Sequence, residues 1–425
     1  MASLLMRGAA VLAMTAAAAF GQSKRLIEQT DSHDWLLQAT VSVRAYTTFD
    51  VKTNMPQRSA FDFTSAAVVF PMIEGSASSV NKPPPELTGK LLLNDRVSDT
   101  NPTFLSGDYP CGTRLGKWVM HEWKGEEVEL QVTIPATCYQ TRYDEEAANQ
   151  VGWPETWQSV AQSTFKPQFF VDAMPGKDGA QAASDMEQIK KMISQWTGGK
   201  DPKSLPPAKL AKFLAGKVLE MVQISGDGLN YAHTGEVEGF NLQGAAETAK
   251  RGRGSEFDAV CLLAAVYRQA GIPCRTVIGW DVGEDKRDKN KKFLARNNGT
   301  KGLRGWVEFA LPDVASPGGL AWVPVDIVRM RKDSSRAQPL DRPWKYFGTH
   351  DELDGVVPIA FQFHPPTTVV AHGSPALWGW LVTPKPPERV IQAVRFEAIT
   401  QSKNTEQQQK DREEKQKKEK KRGRY

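Results

Sequence analysis

The stretch that decides the fold is Gly252-Arg253-Gly254-Ser255-Glu256-Phe257-Asp258, followed by Ala259-Val260-Cys261-Leu262-Leu263-Ala264-Ala265-Val266-Tyr267-Arg268. It predicts a glycine-rich loop and then a buried helix opened by Ser255 or Glu256, because apolar residues recur at helical spacing. Gly271 and Pro273 end the helix, and residues 276–280 read as a short buried strand. A loop at such a helix start exposes backbone N–H groups, and catalytic nucleophiles are often found at this position.

Two later segments follow this helix, and their order in the chain helps to identify a family resemblance. They are Arg304-Gly305-Trp306-Val307-Glu308 and Trp322-Val323-Pro324-Val325-Asp326. Together with Gly271-Ile272-Pro273-Cys274-Arg275, they resemble the core of the transglutaminase-like superfamily, which has the papain-type cysteine-hydrolase fold. In that family the loop presents a Cys at the helix start, and a His and an Asp follow on the two later segments. The resemblance covers most of residues 225–330.

The chain departs from the family at two of its three catalytic positions. The resemblance puts the Cys position on Glu256, or on Ser255 after a one-residue shift, the His position on Arg304, and the Asp position on Asp326. A glutamate is already ionised and attacks poorly, and an arginine stays protonated and cannot act as a base. We therefore expect Glu256, Arg304 and Asp326 to form a charge-satisfied cluster in place of the triad. Arg329 is a second possible partner for Asp326.

A rearranged active site is the alternative reading. Its candidate members are Ser255, Cys261, His233 and Asp326, and it requires a thiol or hydroxyl within hydrogen-bond reach of a base. The sequence argues against two of them, because Cys261 falls inside the predicted helix, where a small buried residue is expected. His233 falls in a loop, where a solvent-facing role is expected. A third possibility is an envelope scaffold that uses neither set of residues.

The residue patterns predict an α+β fold, in which an N-terminal antiparallel β-sandwich-like domain precedes a transglutaminase-like α+β core. Alternating apolar residues at 41–45 and 128–134 indicate strands, and helical periodicity indicates helices over 181–196 and 205–222. Residues 302–310 and 320–328 read as adjacent strands, joined to the preceding strand by a charged excursion over 285–301. The expected divisions are a signal peptide (1–22), a β-rich domain (34–175), the core domain (180–366), a closing segment (367–400) and a disordered charged tail (401–425).

The first residues are typical of an export signal. Arg7 precedes a run of small and apolar residues, Gly8 through Phe20, which is too short for a comfortable membrane span. We therefore expect a cleaved signal peptide, with an uncleaved anchor as the alternative, and a periplasmic or extracellular protein. In such a compartment a disulfide between Cys111 and Cys138 is reasonable. Cys274 is expected to be a packing residue.

Charge and composition limit the partners of the folded body. The formal net charge is +5, and the excess of Lys and Arg in residues 402–425 accounts for it. Nothing in the balanced remainder predicts nucleic-acid binding, although the tail has the composition to touch acidic surfaces weakly. No zinc, nucleotide or flavin signature appears, so no cofactor is expected. The predicted function is that of an exported, non-catalytic protein that binds a peptide, glycan or envelope protein in its cleft. The alternative is an active amide hydrolase or acyl transferase.

Overall fold

The computed structural model describes residues 24–50, 52–53, 55–81, 88–93, 96–99, 103–104, 113–175, 181–232, 235–282, 302–364, 376–384 and 389–400. Several predictions fall outside these residues: the signal segment (1–22), Cys111, His233, the charged excursion (285–301) and the tail (401–425).

The strands of the described residues, numbered in chain order, form mostly antiparallel sheets. They are β1 (Ile27–Asp50), β2 (Met55–Ser59), β3 (Phe61–Met72), β4 (Gly75–Ser76), β5 (Ser79–Asn81), β6 (Thr88–Leu93), β7 (Arg96–Asp99), β8 (Thr103–Phe104), β9 (Arg114–Gly125), β10 (Glu127–Tyr143), β11 (Ala173–Pro175), β12 (Gln181–Ala183), β13 (Gln223–Ile224), β14 (Leu229–Tyr231), β15 (Val237–Phe240), β16 (Arg253–Gly254), β17 (Cys274–Asp281), β18 (Leu303–Pro312), β19 (Leu320–Val325), β20 (Val356–Ala360), β21 (Gly379–Thr383) and β22 (Arg389–Thr400).

The helices are concentrated between the two groups of long strands. They are α1 (Glu145–Ala148), α2 (Ser159–Ser163), α3 (Glu187–Trp196), α4 (Pro207–Met221), α5 (Ala245–Arg251), α6 (Glu256–Gln269) and α7 (Ile327–Asp333), with short 3-10 turns at Pro202–Ser204, Pro317–Gly319 and Leu353–Gly355. None of the described helices has the length and hydrophobicity needed to cross a membrane. The α+β class is confirmed.

Two antiparallel sheets build the sandwich-like part. A ten-stranded sheet has the order β14-β15-β22-β1-β10-β5-β4, with β2 added to β1 and β6 and β7 added to β10. A four-stranded sheet has the order β21-β3-β9-β8. Trp118 of β9 lies directly over Gly89 of β6, where a Cβ atom would stand 2.3 Å from the indole ring. The two sheets therefore meet through a close contact that only a glycine at position 89 allows.

The ten-stranded sheet takes strands from three regions of the chain. Val237 of β15 pairs with Val394 of β22, and β22 runs along β1 from Tyr46 to Trp35. Trp280 of β17 stacks on Phe396 of β22, with ring centroids 4.8 Å apart. One hydrophobic cluster runs from Leu26 through α6 to Ala398. The sandwich and the helical region consequently share a core.

Helix α6 lies at the centre of the helical region, against the sheet β19-β18-β17-β20. Its residues from Phe257 to Arg268 are all buried, as the apolar spacing predicted. Ser255 is the N-cap and the helix begins at Glu256, while Gly271 with φ +82° follows the end of the helix. Gly305 on β18 faces α6 so closely that a Cβ atom would be 2.9 Å from the Phe257 ring. The strand that carries Arg304 therefore packs closely against the first turn of α6.

Three predictions about local structure are wrong. Residues 181–183 form β12, paired with β11, and the helix predicted from 181 begins only at Glu187, next to Asp185, which accepts the Glu187 N–H. The strand predicted over 320–328 ends at Val325, because the Asp326 side chain accepts the Arg329 N–H and starts α7. Cys138 is a free, buried thiol, so the structure has no disulfide at this position.

Candidate functional site

The three triad positions of the sequence reading lie on α6, β18 and at the start of α7. Arg304 sits on β18 opposite Gly279 of β17, and Asp326 directly follows β19, which pairs with β18. Glu256 is the first residue of α6, and its backbone N–H donates to the carbonyl of Gly226 at 3.1 Å. Neighbouring strands thus hold Arg304 and Asp326, whereas a helix start holds Glu256.

Arg304 and Asp326 are brought together in a buried ion pair. The guanidinium donates to Asp326 Oδ2 from both Nε, at 3.0 Å, and Nη2, at 2.7 Å. Asp326 is fully buried and Arg304 is 8% exposed. Two charge-assisted bonds in a buried place fix both side chains, because either charge alone would be costly to bury.

The protonation states of this pair are set by its surroundings. Burial alone would raise the pKa of Asp326, but the charge of Arg304, together with hydrogen bonds from His350 and the Arg329 N–H, lowers that pKa below its usual range. Burial acts to lower the pKa of Arg304, and the charges of Asp326, Asp281 and Glu352 outweigh it and raise that pKa. Arg304 is therefore a permanent cation and cannot accept a proton.

His350 completes the buried side of this cluster, and the sequence reading missed it. Its Nε2 lies 3.4 Å from Asp326 Oδ2 and 3.1 Å from Arg304 Nη2. Its Nδ1 accepts the Glu352 N–H at 3.3 Å. The position of His350 comes from paired backbone bonds with Thr141 of β10. A contact from so distant a strand leaves no local signal in the sequence.

On its outer side Arg304 belongs to a ring of surface charges. Its Nη1 lies 3.3 Å from Asp281 and 3.4 Å from Glu352, and Arg329 lies 3.5 Å and 3.1 Å from the same two carboxylates. Tyr346 donates its hydroxyl to Glu352 at 2.9 Å. Among the described residues, Arg329 therefore contacts Asp326 through its backbone N–H. Its guanidinium pairs instead with Asp281 and Glu352.

Glu256 takes a different partner. Its carboxylate pairs with Lys332, in the last turn of α7, at 2.7 Å, and Glu256 is about a quarter exposed. The structure thus joins Arg304 to Asp326 and leaves Glu256 in a separate ion pair, at the other end of α7. The three residues surround the same helix but, in the described part of the chain, make no single triad-like chain of bonds.

Ser255 and Cys261 both have structural roles. The Ser255 hydroxyl donates to Asp258 Oδ2 at 2.8 Å and accepts the Asp258 N–H, forming a capping box. Asp258 also accepts the N–H groups of Gln243 and Gly244. Cys261 is fully buried, and burial, followed by the charge of Asp258, raises its thiol pKa well above the usual value. Neither side chain has an imidazole partner among the described residues.

An open cleft lies in front of Glu256. It has a volume of about 410 Å³ and is lined by residues from the loop after α4, the start of α6 and the end of α7, namely Gln223, Ile224, Gly226, Asp227, Glu256, Arg331 and Lys332. The parallel pairing of β13 with β16 holds this loop beside the α6 start. In the described residues no group of three or more His, Cys, Asp or Glu side chains is arranged to hold a metal ion.

Comparisons with known proteins identify the family of the central part of the chain. Residues 197–327 match the family profile described as the transglutaminase-like superfamily. No curated protein matches the sequence. Among solved structures, a candidate cysteine protease from Cytophaga hutchinsonii is similar at 10% identity over 88% of this chain and 93% of its own, with a TM-score of 0.48. The periplasmic domain of TgpA from Pseudomonas aeruginosa is similar at 11% identity over 71% and 90%, with a TM-score of 0.30. Red sea bream transglutaminase is similar at 12% identity over 60% and 49%, with a TM-score of 0.26.

Proposed function

Because residues 197–327 form a domain of the transglutaminase-like superfamily, we propose that this chain is an exported binding protein in which the domain has lost acyl transfer. The observation that carries the proposal is the buried bond between Arg304 and Asp326. It supports the proposal because the position that resembles the family's histidine holds a cation that cannot remove a proton. The export signal read in residues 1–22 supports the location.

The chemistry of Glu256 points the same way. Acyl transfer by this family's route needs a thiolate that attacks a carbonyl and an imidazole that carries the proton to the leaving group. A carboxylate at position 256, held by Lys332, supplies neither function. The same carboxylate is well suited to binding, since it offers a fixed acceptor at the edge of an open cleft. A peptide, a glycan or an envelope protein is the expected kind of ligand.

The alternative, a rearranged hydrolase or acyl transferase, has less support. Cys261 is fully buried within α6, and the Ser255 hydroxyl donates its hydrogen bond to Asp258. An active enzyme would require one of these groups to leave its present bonds and meet a base. No observation in the described residues favours that change.

A turnover assay tests the proposal. The protein is incubated with a panel of glutamine-containing peptides, and amide hydrolysis and amine incorporation are measured at pH 6 to 9. We expect no turnover above that of the Glu256→Gln variant, which keeps the size of the side chain and removes its charge. Turnover by the wild type that is lost in Ser255→Ala or Cys261→Ala would support the rearranged enzyme and overturn the proposal.

A further inference from the structure

The cleft in front of Glu256 contains charges of both signs. Its lining includes two acidic residues, Asp227 and Glu256, and two basic residues, Arg331 and Lys332. The four formal charges cancel, so the cleft as a whole attracts neither simple anions nor simple cations strongly. A ligand that fits it electrostatically carries charges of both signs as well.

One pair of these charges is already satisfied within the protein. Glu256 and Lys332 lie 2.7 Å apart, although Lys332 is more than half exposed. An exposed pair of this kind contributes little to stability and is easily opened. The Glu256 and Lys332 side chains can therefore separate and contact a ligand. Because each already neutralises the other, the pair alone does not select a ligand by its charge.

Asp227 has no ion pair in the described part of the chain. Its Oδ1 accepts the Leu229 N–H at 3.1 Å, and its Oδ2 accepts the hydroxyl of Tyr231. Both donors are neutral, so they orient the carboxylate and leave its charge uncompensated. Burial, the bond to Asp227 and the charges of Asp227 and Glu256 raise the pKa of Tyr231, which keeps that hydroxyl a donor.

Arg331 has the complementary property. Its Nη1 donates to the carbonyls of Leu219 and Ser335, both at 3.0 Å. These bonds anchor the side chain at the end of α7, and among the described residues no carboxylate pairs with it. The Nε and Nη2 edge has no hydrogen-bond partner among the described residues, and this edge matches the two oxygens of a carboxylate.

We propose that this cleft binds a small zwitterion, an amino acid or short peptide with a free ammonium and a free carboxylate. The ammonium contacts Asp227 and the carboxylate contacts Arg331, because of the charges that line the cleft these two have no ionic partner among the described residues. The volume of about 410 Å³ suits a ligand of this size. The inference rests on the proposed binding function and specifies its ligand class.

Binding of three dipeptide forms tests this assignment. Alanyl-alanine, its N-acetyl form and its C-terminal amide are titrated into the full-length protein and followed by calorimetry or NMR shifts. We expect the free dipeptide to bind and each blocked form to bind about tenfold more weakly or worse, since each loses one charge-assisted contact. Equal binding of all three forms, or no binding of the free dipeptide at millimolar concentration, would overturn the inference.

Matched variants identify the two contacts. Asp227→Asn should remove the preference for the free dipeptide over its N-acetyl form, and Arg331→Gln should remove the preference over the amide. The controls are Asp62→Asn on β3 and Arg336→Gln after α7, which remove the same charges from exposed positions outside the cleft. Both controls should retain wild-type affinity. Unchanged preferences in the cleft variants would contradict the assignment.

The outcomes separate this inference from the proposal on which it rests. If the dipeptides neither bind nor turn over, the zwitterion assignment fails while the loss of acyl transfer stands. If the wild type hydrolyses or joins dipeptides, the non-catalytic proposal fails, and the blocked forms still decide whether both charges are recognised.

Discussion

Arg304 is the residue on which the electrostatics of the candidate site depend. It neutralises the fully buried Asp326, touches His350 and reaches Asp281 and Glu352 at the surface. Its neighbour Gly305 lets the strand that carries Arg304 pack closely against α6. A histidine at this position would have fewer donors for the surrounding carboxylates.

Replacing Arg304 by Gln should destabilise the protein by about 3–5 kcal/mol, because Asp326 would remain buried without its cation. Urea unfolding at pH 7 measures the change. The control is Arg251→Gln, which opens an exposed pair with Glu247 on α5 and should cost less than about 1 kcal/mol. A similar loss in both variants would show that the Arg304–Asp326 pair contributes little.

The same comparison should depend on pH. The folded protein lowers the pKa of Asp326, so the stability this gives is fully present above the unfolded value of about 3.9 and is lost as the pH falls through the folded value below it. The difference in the free energy of unfolding between wild type and Arg304→Gln should be largest near pH 7 and should shrink as the pH falls, because without its cation the buried Asp326 of the variant has a raised pKa and takes up a proton first. If the difference in the free energy of unfolding grew as the pH fell, the pH dependence would have the opposite sign. That result would contradict a lowered pKa for Asp326 in the folded wild type.

A cysteine placed at position 256 should not give the protein acyl-transfer activity. We expect Glu256→Cys to yield a thiol that iodoacetamide alkylates, because position 256 faces the open cleft. The variant should still fail to hydrolyse amides, since Arg304 cannot take the proton. Intact mass measures the alkylation and a glutaminyl-peptide assay the turnover. Glu256→Ser is the matched control, and efficient hydrolysis by the single Cys variant would show that another base is in reach.

At the scale of the element, helix α6 depends on its N-terminal cap. Ser255 and Asp258 exchange hydrogen bonds, and Asp258 also ties down the backbone of Gln243 and Gly244. The cap is thus a junction between α6 and the segment that leads into α5. A residue that resembles a displaced nucleophile in sequence has a structural role here.

Ser255→Ala should cost about 1 kcal/mol of stability, the usual effect of losing a serine cap. Denaturant unfolding measures it, and Ser159→Ala, at an exposed position in α2 that does not cap the helix, is the control. Ligand binding in the cleft should be retained. Unchanged stability combined with loss of an enzymatic activity would instead mark Ser255 as a nucleophile.

Local patterns predicted α6 well, because its cap, apolar spacing and terminal glycine are all close in sequence. They failed at residues 326–328, where alternation suggested a continuing strand and the cap at Asp326 began a helix. They could not find His350 or Lys332 as partners of the triad positions, since these contacts join elements distant in the chain. The charge chemistry of Glu256 and Arg304 and the pairing of Arg304 with Asp326 were readable, but Lys332 as the partner of Glu256 was not.

At the scale of the whole molecule, the β-rich part and the helical part depend on one another. Strand β22 lies between β15 and β1, and Phe396 on β22 stacks on Trp280 of β17. The sequence suggested successive domains because it shows strands first and helices later. Sheet pairing across more than 300 residues has no local sequence signal.

Phe396→Ala should therefore weaken the entire molecule, by about 3–5 kcal/mol for a large buried aromatic side chain. Far-UV and near-UV circular dichroism should follow one shared unfolding transition, shifted to lower denaturant. Val314→Ala, at a position that is 91% exposed, is the control and should leave the transition nearly unchanged. Two separate transitions, with only one of them shifted, would indicate independent domains.

The most direct test of the central claim is chemical labelling of the folded protein. The wild type is treated with iodoacetamide and with a fluorophosphonate, and peptide mapping locates any adduct, with Glu256→Cys as the positive control. We expect no label at Ser255 or Cys261, because the first is bonded into the cap and the second is buried. A stoichiometric adduct at either residue would show that the fold keeps an activated nucleophile and would contradict the replacement of the triad by paired charges.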